Sequence, residues 1–139
     1  NLTTTGVRVK SVRLGDIFSR GSARLQVGQG RQPCWKLNAH TDEDQLAHLF
    51  QKPGRTGWYY RVLSPGSVAP GDAMSLTDRL HPGWSVERVT AARLTRRVLP
   101  ADAAILASLP ELAASWRAAF EKMASGAVSE DTRRRLHSP

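Results

Sequence analysis

The chain has 139 residues, of which 40% are hydrophobic and 23% charged, a composition typical of one globular domain with at most a small appendage. Its net charge of +8 favours anionic partners such as phosphate-bearing cofactors, nucleic acid or acidic proteins. No apolar run approaches the ~20 residues of a membrane span and a single cysteine excludes an internal disulfide, so we expect a cytoplasmic protein without a membrane partner.

The first half of the chain has the alternating apolar residues and the Gly and Pro turns of short β-strands. The segment SARLQV places Ala23, Leu25 and Val27 on one face. Short strands separated by such turns predict a barrel or a folded sheet. The predicted strands are residues 7–16 with a bulge, 22–27, 57–63 and 72–78.

The short motif GRQPCWKLN holds the only cysteine, Cys34. Free cysteine is among the most buried residue types, which favours simple core packing. Arg31 and Lys36 flank it, however, and nearby cations stabilise a thiolate, which is also a soft ligand for a transition metal. The local sequence leaves both a buried side chain and a working thiolate open.

One helix is predicted within this first half, over residues 42–51, with Thr41 as its N-cap. Three acidic residues in its first turn complement the helix dipole. The same acidic residues with His40 and His48 could also suggest a metal site, but the two histidines lack the spacing of a zinc site. We therefore attribute the acidic residues to the start of the helix. The predicted apolar stripe consists of Leu46, Leu49 and Phe50.

A second candidate motif, GRTGWYYRV, places Arg55 and Thr56 between Gly54 and Gly57. Glycines allow the backbone to approach an anion closely, so this segment is either an anion cradle or an ordinary turn. No dinucleotide-binding or P-loop pattern is present, so any hydride source is external. The aromatic residues that follow are assigned to the core or to an interface: Trp58, Tyr59 and Tyr60.

After residue 83 the spacing of the apolar residues becomes helical. The change predicts two domains, residues 1–83 and 84–139. Basic residues are distributed over both, and only Arg133-Arg134-Arg135 forms a cluster, which argues against a nucleic-acid-binding arm. The three helices of the second domain are predicted to begin after Ser85, at Pro100 and at Pro110.

Four segments taken together resemble a MOSC-domain protein of the YiiM type, a bacterial group linked to resistance to N-hydroxylated bases. They are NLTTTG, GDIFSRGSARLQVGQGRQPCWKLN, GRTGWYYRVL and VAPGD, in this order. The helical segment resembles the three-helix domain that follows the MOSC domain in that family. The resemblance implies a mostly β, barrel-like MOSC core plus a C-terminal α-helical domain, α+β overall. A stretch precedes NLT in the family, so we expect the barrel to lack its N-terminal part here.

The same resemblance implies a molybdenum cofactor (molybdopterin) and a set of residues that hold it. The Cys34 thiolate is the implied metal ligand and the one implied catalytic residue. Asn1 and Thr3 match the family signature near the pocket. Arg31, Lys36 and Arg55 are candidates for the phosphate and pterin, and Thr56, Gly57 and Trp58 for lining the cleft.

The activity implied by the resemblance is reduction of N-hydroxylated substrates such as N-hydroxylaminopurine to amines. Electrons would come from a separate flavoprotein, and a homodimer is a possible assembly. The alternative is a module that carries the cofactor, or sulfur on Cys34, without reducing anything. Binding of nucleic acid is the least favoured class.

Overall fold

Four strands and five helices make up the part of the chain that the computed structural model describes, residues 2–41, 43, 45–51 and 56–127. Among the described helices, none has the length and apolar character needed to cross a bilayer. The elements in chain order are β1 (Ile17–Arg20), β2 (Ala23–Gly30), α1 (Trp35–Thr41), α2 (Leu46–Gln51), β3 (Trp58–Ser64), β4 (Met74–Asp78), α3 (Val86–Thr95), α4 (Pro100–Ser108) and α5 (Ala114–Ala124).

The strands form one antiparallel sheet in the order β3-β2-β1-β4. Strands β3 and β4 are its edges, and no described segment pairs with both, so the sheet is open. The α+β class is confirmed, whereas the barrel expected from the first half is not formed by the described residues. Closure of a barrel requires the two edge strands to be joined by further pairing, which these residues do not supply.

Three of the four predicted strands are confirmed as β2, β3 and β4. Ala23, Leu25 and Val27 are buried, as their alternation predicts. The strand predicted over residues 7–16 is wrong, because this segment makes only one isolated bridge, from Arg13 to Ser85. The four-residue strand β1 follows it, in a segment too short for alternation to be recognised.

Residues 7–16 lie against the start of α3 instead of joining the sheet. The Val86 N–H donates to the Val12 carbonyl at 2.9 Å, and the Leu14 N–H donates to the Trp84 carbonyl at 2.8 Å. Their apolar side chains are buried there, which explains the alternation without a strand. The cluster at this contact consists of Val9, Val12, Phe18, Val27 and Val86.

The prediction for the first-half helix is wrong in its boundaries. Thr41 is the last residue of α1, where its hydroxyl donates to the Leu37 carbonyl at 2.8 Å, and does not cap α2. The predicted stripe is poorly buried, since Leu49 and Phe50 are about half exposed. Two of the three acidic residues, and the Pro-Gly pair expected to end the helix, lie outside the described residues.

The predictions for the second half hold for two helices of three. Ser85 caps α3 by accepting a hydrogen bond from the Arg88 N–H at 3.1 Å, and Pro100 opens α4. Helix α5 begins at Ala114, whereas Pro110 lies in the turn between α4 and α5 and opens no helix. The helical core consists of Leu14, Val89, Ala92, Ala103, Leu106, Leu112, Trp116 and Phe120.

A side-chain hydrogen bond joins the loop after β4 to the turn between α4 and α5. His81 Nε2 lies 2.9 Å from Glu111 Oε2, and both side chains are mostly buried. Burial acts to raise the pKa of Glu111, but the hydrogen bond from His81, with smaller backbone and charge effects, leaves that pKa below its ordinary value of 4.5. A carboxyl with a lowered pKa stabilises the folded state only where it is ionised.

We therefore predict that the Glu111→Gln substitution destabilises the protein by about 1 kcal/mol near pH 6 and by less as the pH falls below 4.5. The loss occurs at low pH because protonation of Glu111 in the parent protein removes the same interaction. Urea unfolding at a series of pH values measures it, with the exposed Glu121→Gln as the control. An effect of Glu111→Gln that is independent of pH would contradict the prediction.

Candidate cofactor site

Two distant motifs meet where β2 ends and β3 begins. Gly30 pairs with Trp58 in the sheet, and the Arg31 N–H continues the contact by donating to the Gly57 carbonyl at 2.9 Å. The buried Thr56 hydroxyl donates to the Arg31 carbonyl at 2.6 Å. Gly57 has a φ of +80°, in the left-handed region that glycine adopts without strain. The segment that carries the cysteine motif and the second motif are thus in direct contact.

Cys34 follows this junction by three residues. The preceding Pro33 is fully buried, Cys34 is a free and partly exposed thiol, and α1 begins at the next residue. The Leu37 N–H donates to the Cys34 carbonyl at 3.0 Å as the helix starts. The thiol is therefore held between the anchored end of β2 and a short helix, and Cys34 is only partly buried.

An open cleft of about 510 Å³ lies beside the junction. Leu2 and Thr4 border it on one side, and the start of β3 forms another wall. This volume lies within the range of ordinary small-molecule sites. The remaining lining residues are Arg31, Thr56, Gly57, Trp58, Tyr59 and Tyr60.

Tyr60 packs against two other aromatic rings at the cleft wall. Its ring makes edge-on contacts with Trp58 and Phe18, with centroid distances of 6.1 and 6.3 Å. Its hydroxyl donates to Met74 Sδ at 3.8 Å, a weak acceptor. Burial raises the pKa of Tyr60 above its ordinary value, although the Trp58 N–H and the charge of Arg20 partly oppose the rise. The hydroxyl therefore stays protonated at neutral pH.

Arg31, Thr56, Gly57 and Trp58 are the predicted site residues that the structure brings together at the cleft. Cys34 lies near this group in the chain but is not part of the described cleft wall. Lys36 is exposed on the first turn of α1. Thr3 is exposed and does not line the cleft, although Leu2 and Thr4 do. Asn1 and Arg55 lie outside the described residues.

Four wall residues were not predicted as such: Leu2, Thr4, Tyr59 and Tyr60. The two tyrosines were assigned to the core or an interface, and their alternation in β3 is the signal that places one of them on each face. Tyr60 faces the buried cluster and Tyr59 is half exposed. Among the described residues, no group of three or more His, Cys, Asp and Glu side chains could hold a metal ion.

Helix α3 packs against the end of β2 that leads to the cleft. Gly30 packs so closely on Thr90 that a β-carbon at position 30 would overlap the Thr90 hydroxyl. Thr90 is fully buried, so its side chain cannot relieve the overlap by turning into solvent. The end of β2, and with it the loop that leads to Cys34, is positioned by a helix 60 residues further along the chain.

Residues 1–75 match the family model described as the MOSC domain, and residues 84–126 match the model described as the YiiM-like, 3-alpha helix domain. The first match covers more than half of the chain, so this protein belongs to the MOSC-domain family. Within that family it is of the YiiM type, because the three-helix match follows the MOSC match.

Relatives and solved structures agree with this assignment. The protein named YiiM from Escherichia coli (strain K12) is 37% identical over 136 residues, which are 98% of this chain and 60% of that protein. The crystal structure of YiiM from Escherichia coli has a TM-score of 0.86 at 34% identity and covers 95% of this chain and 65% of that one. A protein named Reductase from Gibberella moniliformis is 39% identical over 97 residues, 67% of this chain and 17% of that protein. The chain therefore spans about 60% of the length of the YiiM relative.

Proposed function

We propose that this chain forms part of a molybdenum-cofactor site and that the whole protein reduces N-hydroxylated substrates, such as N-hydroxylaminopurine, to amines. The observation that carries the proposal is the pair of hydrogen bonds joining Arg31 to Thr56 and Gly57. Through them a thiol-bearing loop, a cation and an aromatic cleft wall belong to one site. A relative named as a reductase supports the oxidoreductase class.

The groups around the cleft fit such a cofactor in type. Cys34 is a free and partly exposed thiol, and thiolate is a soft ligand for a transition metal. Arg31 is an exposed cation that makes no ion pair with a carboxylate in the described parts of the chain, so it is available to an anionic phosphate. Trp58 and Tyr60 offer flat apolar surfaces to a ring system.

The residues of this chain would bind and orient, whereas a cofactor carries the redox chemistry. When bound, the cofactor supplies the two electrons that, with two protons, convert an N–OH group to N–H and water. Cys34 would hold the metal, and Arg31 and Lys36 would attract the phosphate. The Tyr60 hydroxyl, which donates to Met74 Sδ, can accept a hydrogen bond from a ligand at the cleft. The electrons would come from a separate flavoprotein, since no dinucleotide motif is present.

We also propose that residues 1–83 are the C-terminal part of the MOSC domain and that residues 84–139 are the three-helix domain. The two share a core, because Leu14 packs in the helical cluster and Val86 in the sheet cluster. The helical domain would then act as a support for the cofactor loop through the contact between Thr90 and Gly30.

One observation favours the alternative of a cofactor or sulfur carrier. Cys34 is partly exposed and lies outside the described cleft wall, a position that suits a thiol that exchanges its cargo. A carrier would bind molybdenum cofactor or sulfur but would not reduce an N–OH group with an artificial electron donor. Reduction by the purified protein with reduced methyl viologen therefore separates the two functions.

The direct test is the molybdenum content of the full-length protein and of its Cys34→Ser variant. We expect close to one molybdenum per chain in the parent protein and at least a tenfold loss in the variant. Reduction of N-hydroxylaminopurine with the artificial donor should fall in parallel, while the far-UV circular dichroism spectrum stays unchanged.

The matched control is Arg24→Met, which removes a cation from β2 at a half-exposed position away from the cleft. It should leave the molybdenum content unchanged, whereas Arg31→Met should lower it. Full molybdenum occupancy of the Cys34→Ser variant would show that Cys34 is not the ligand. A correctly folded parent protein without molybdenum would refute the cofactor proposal itself.

A further inference from the structure

The wall of the cleft contains one partly buried hydroxyl that makes no hydrogen bond within the described parts of the chain. It belongs to Thr4. The neighbouring hydroxyls of the wall are in use, since Thr56 donates to the Arg31 carbonyl at 2.6 Å and Tyr60 donates to Met74 Sδ at 3.8 Å. The Thr4 hydroxyl therefore keeps both its donor and its acceptor capacity for a ligand in the cleft.

The segment that carries Thr4 presents alternate side chains to the cleft. Leu2 and Thr4 line it, whereas Thr3 between them is exposed and does not. This is the period of two that an extended backbone imposes on its side chains. Thr5 is exposed and outside the cleft wall as well, and Gly6 follows in a bend at a φ of +80°. Of three consecutive threonines, only the middle one lines the cleft.

The N–OH group of the proposed substrates needs a partner of this kind. A hydroxyl both donates and accepts, so it is best satisfied by a side chain that can do the same. Thr4 can do both, whereas the Arg31 guanidinium only donates. The Tyr59 hydroxyl has the same capacity as that of Thr4, but Tyr59 is 52% exposed, so water competes more strongly for it.

We propose that Thr4 is a positioning residue that hydrogen-bonds the N–OH group of the substrate, with Leu2 beside it against the apolar part of the same molecule. The inference rests on the reductase function proposed above and adds the residue that orients the group to be reduced. Arg31 belongs to the wall formed by the end of β2 and the start of β3, so it remains for the cofactor phosphate. The Thr4 contact transfers neither a proton nor an electron.

The test uses the Thr4→Val variant of the full-length protein carrying its cofactor, because valine has almost the shape of threonine but no hydroxyl. With reduced methyl viologen as donor, the KM for N-hydroxylaminopurine should rise about tenfold, the effect of one lost hydrogen bond. The kcat should stay within about twofold of the parent value, because the contact is made before and during the reaction. Thr4→Ser keeps the hydroxyl and should bring the KM back to within about threefold.

The reaction product gives a second readout, which a change in the shape of the cleft would move and the loss of this hydrogen bond would not. Adenine is the amine formed from N-hydroxylaminopurine, and it has the same ring without the N–OH group. Its inhibition constant should therefore be equal for the parent protein and the Thr4→Val variant. Equal weakening of substrate and product would overturn the proposal, since it would show that the substitution only distorts the cleft.

The matched control is Thr5→Val, which makes the same change at the neighbouring exposed threonine. It should leave the KM unchanged, and all the variants should carry as much molybdenum as the parent. A parent KM in Thr4→Val, or a loss of molybdenum from it, would overturn the inference. A parent protein that holds molybdenum but does not reduce the substrate would refute the reductase function itself, and the inference with it. The two failures are distinguishable, because only the first occurs with an active parent protein.

Discussion

The Asp16→Asn substitution is expected to lower the free energy of unfolding by about 3 kcal/mol, because it breaks a buried ion pair. The Asp16 side chain is fully buried, and its two oxygens accept hydrogen bonds from Arg79 Nη2 at 2.8 Å and Nε at 3.0 Å. The bond to Asp16 also raises the pKa of Arg79 above its ordinary value. The pair ties the start of β1 to the residue that follows β4, so its loss loosens an edge of the sheet.

The backbone makes Asp16 harder to replace. Its Oδ2 atom also accepts the Arg13 N–H at 2.8 Å, and an asparagine amide would place a donor against the donors of Arg79 or Arg13. The Arg79 side chain is 36% exposed, so water compensates it in part and the effect lies at the low end for buried pairs.

The control for this prediction is Asp78→Asn, which breaks the pair with Arg24 at the sheet surface. Those two groups are 3.6 Å apart and both side chains are 50% exposed, so we expect a loss of about 1 kcal/mol or less. Urea unfolding measures both variants, and an unchanged m-value shows that the folded state is comparable. Similar losses for the two substitutions would show that burial does not set the strength of the Asp16 pair.

The Gly30→Ala substitution should destabilise the protein by about 2 kcal/mol through overpacking against α3. The added β-carbon would overlap the Thr90 hydroxyl and lie 3.1 Å from the Thr90 β-carbon. Both elements carry buried side chains on this side, so separation of β2 from α3 would expose the core. The clash also displaces the residue next to Arg31, so the effect reaches the candidate cofactor site.

Gly28 provides a matched control in the same strand. A β-carbon there would meet its nearest neighbour, the Glu111 carbonyl oxygen, at 3.6 Å, an ordinary contact. We expect Gly28→Ala to change the unfolding free energy by less than about 0.5 kcal/mol.

A double-mutant cycle tests the cause of the Gly30 effect. Thr90→Ala removes a buried hydroxyl that has no hydrogen-bond partner among the described residues, together with a buried methyl group, so by itself it should cost about 1 kcal/mol. The double variant should lose little more than Thr90→Ala alone, because the remaining contact at 3.1 Å requires only a small shift. Additive effects in the cycle would show that the two positions do not clash.

The elements that the sequence predicts correctly are those with a strong local signal. Strand β2 has three alternating apolar residues, β3 has a run of aromatic and branched residues, and α3 has Ser85 as a cap. The incorrect predictions concern segments whose local sequence pattern arises from something other than the strand or helix cap that it predicts. Apolar and polar residues alternate over residues 7–16 because this segment lies against α3. Thr41 ends a short helix whose sequence has no helical periodicity of apolar residues.

The residues of the candidate site likewise divide into those that the local sequence identifies and those that only the tertiary structure identifies. The two motifs identify Cys34 and Arg31 as a thiol and a cation of interest, and the family resemblance supplies the expected cofactor. The sequence does not show that Thr56 donates to the Arg31 carbonyl 25 residues away, or that Leu2 and Thr4 border the cleft. These contacts join segments that are distant in the chain.

The sequence by itself determined the α+β class, the change to helices after residue 83 and the MOSC family of this protein. The first two follow from patterns of neighbouring residues, because alternation and capping act over a few positions, whereas the family follows from the resemblance of four segments. The tertiary structure decided that the described sheet is open, that Tyr60 forms a cleft wall and that Thr90 supports Gly30. Those facts depend on close packing between distant segments, where a single methyl group or hydroxyl determines which surfaces can meet.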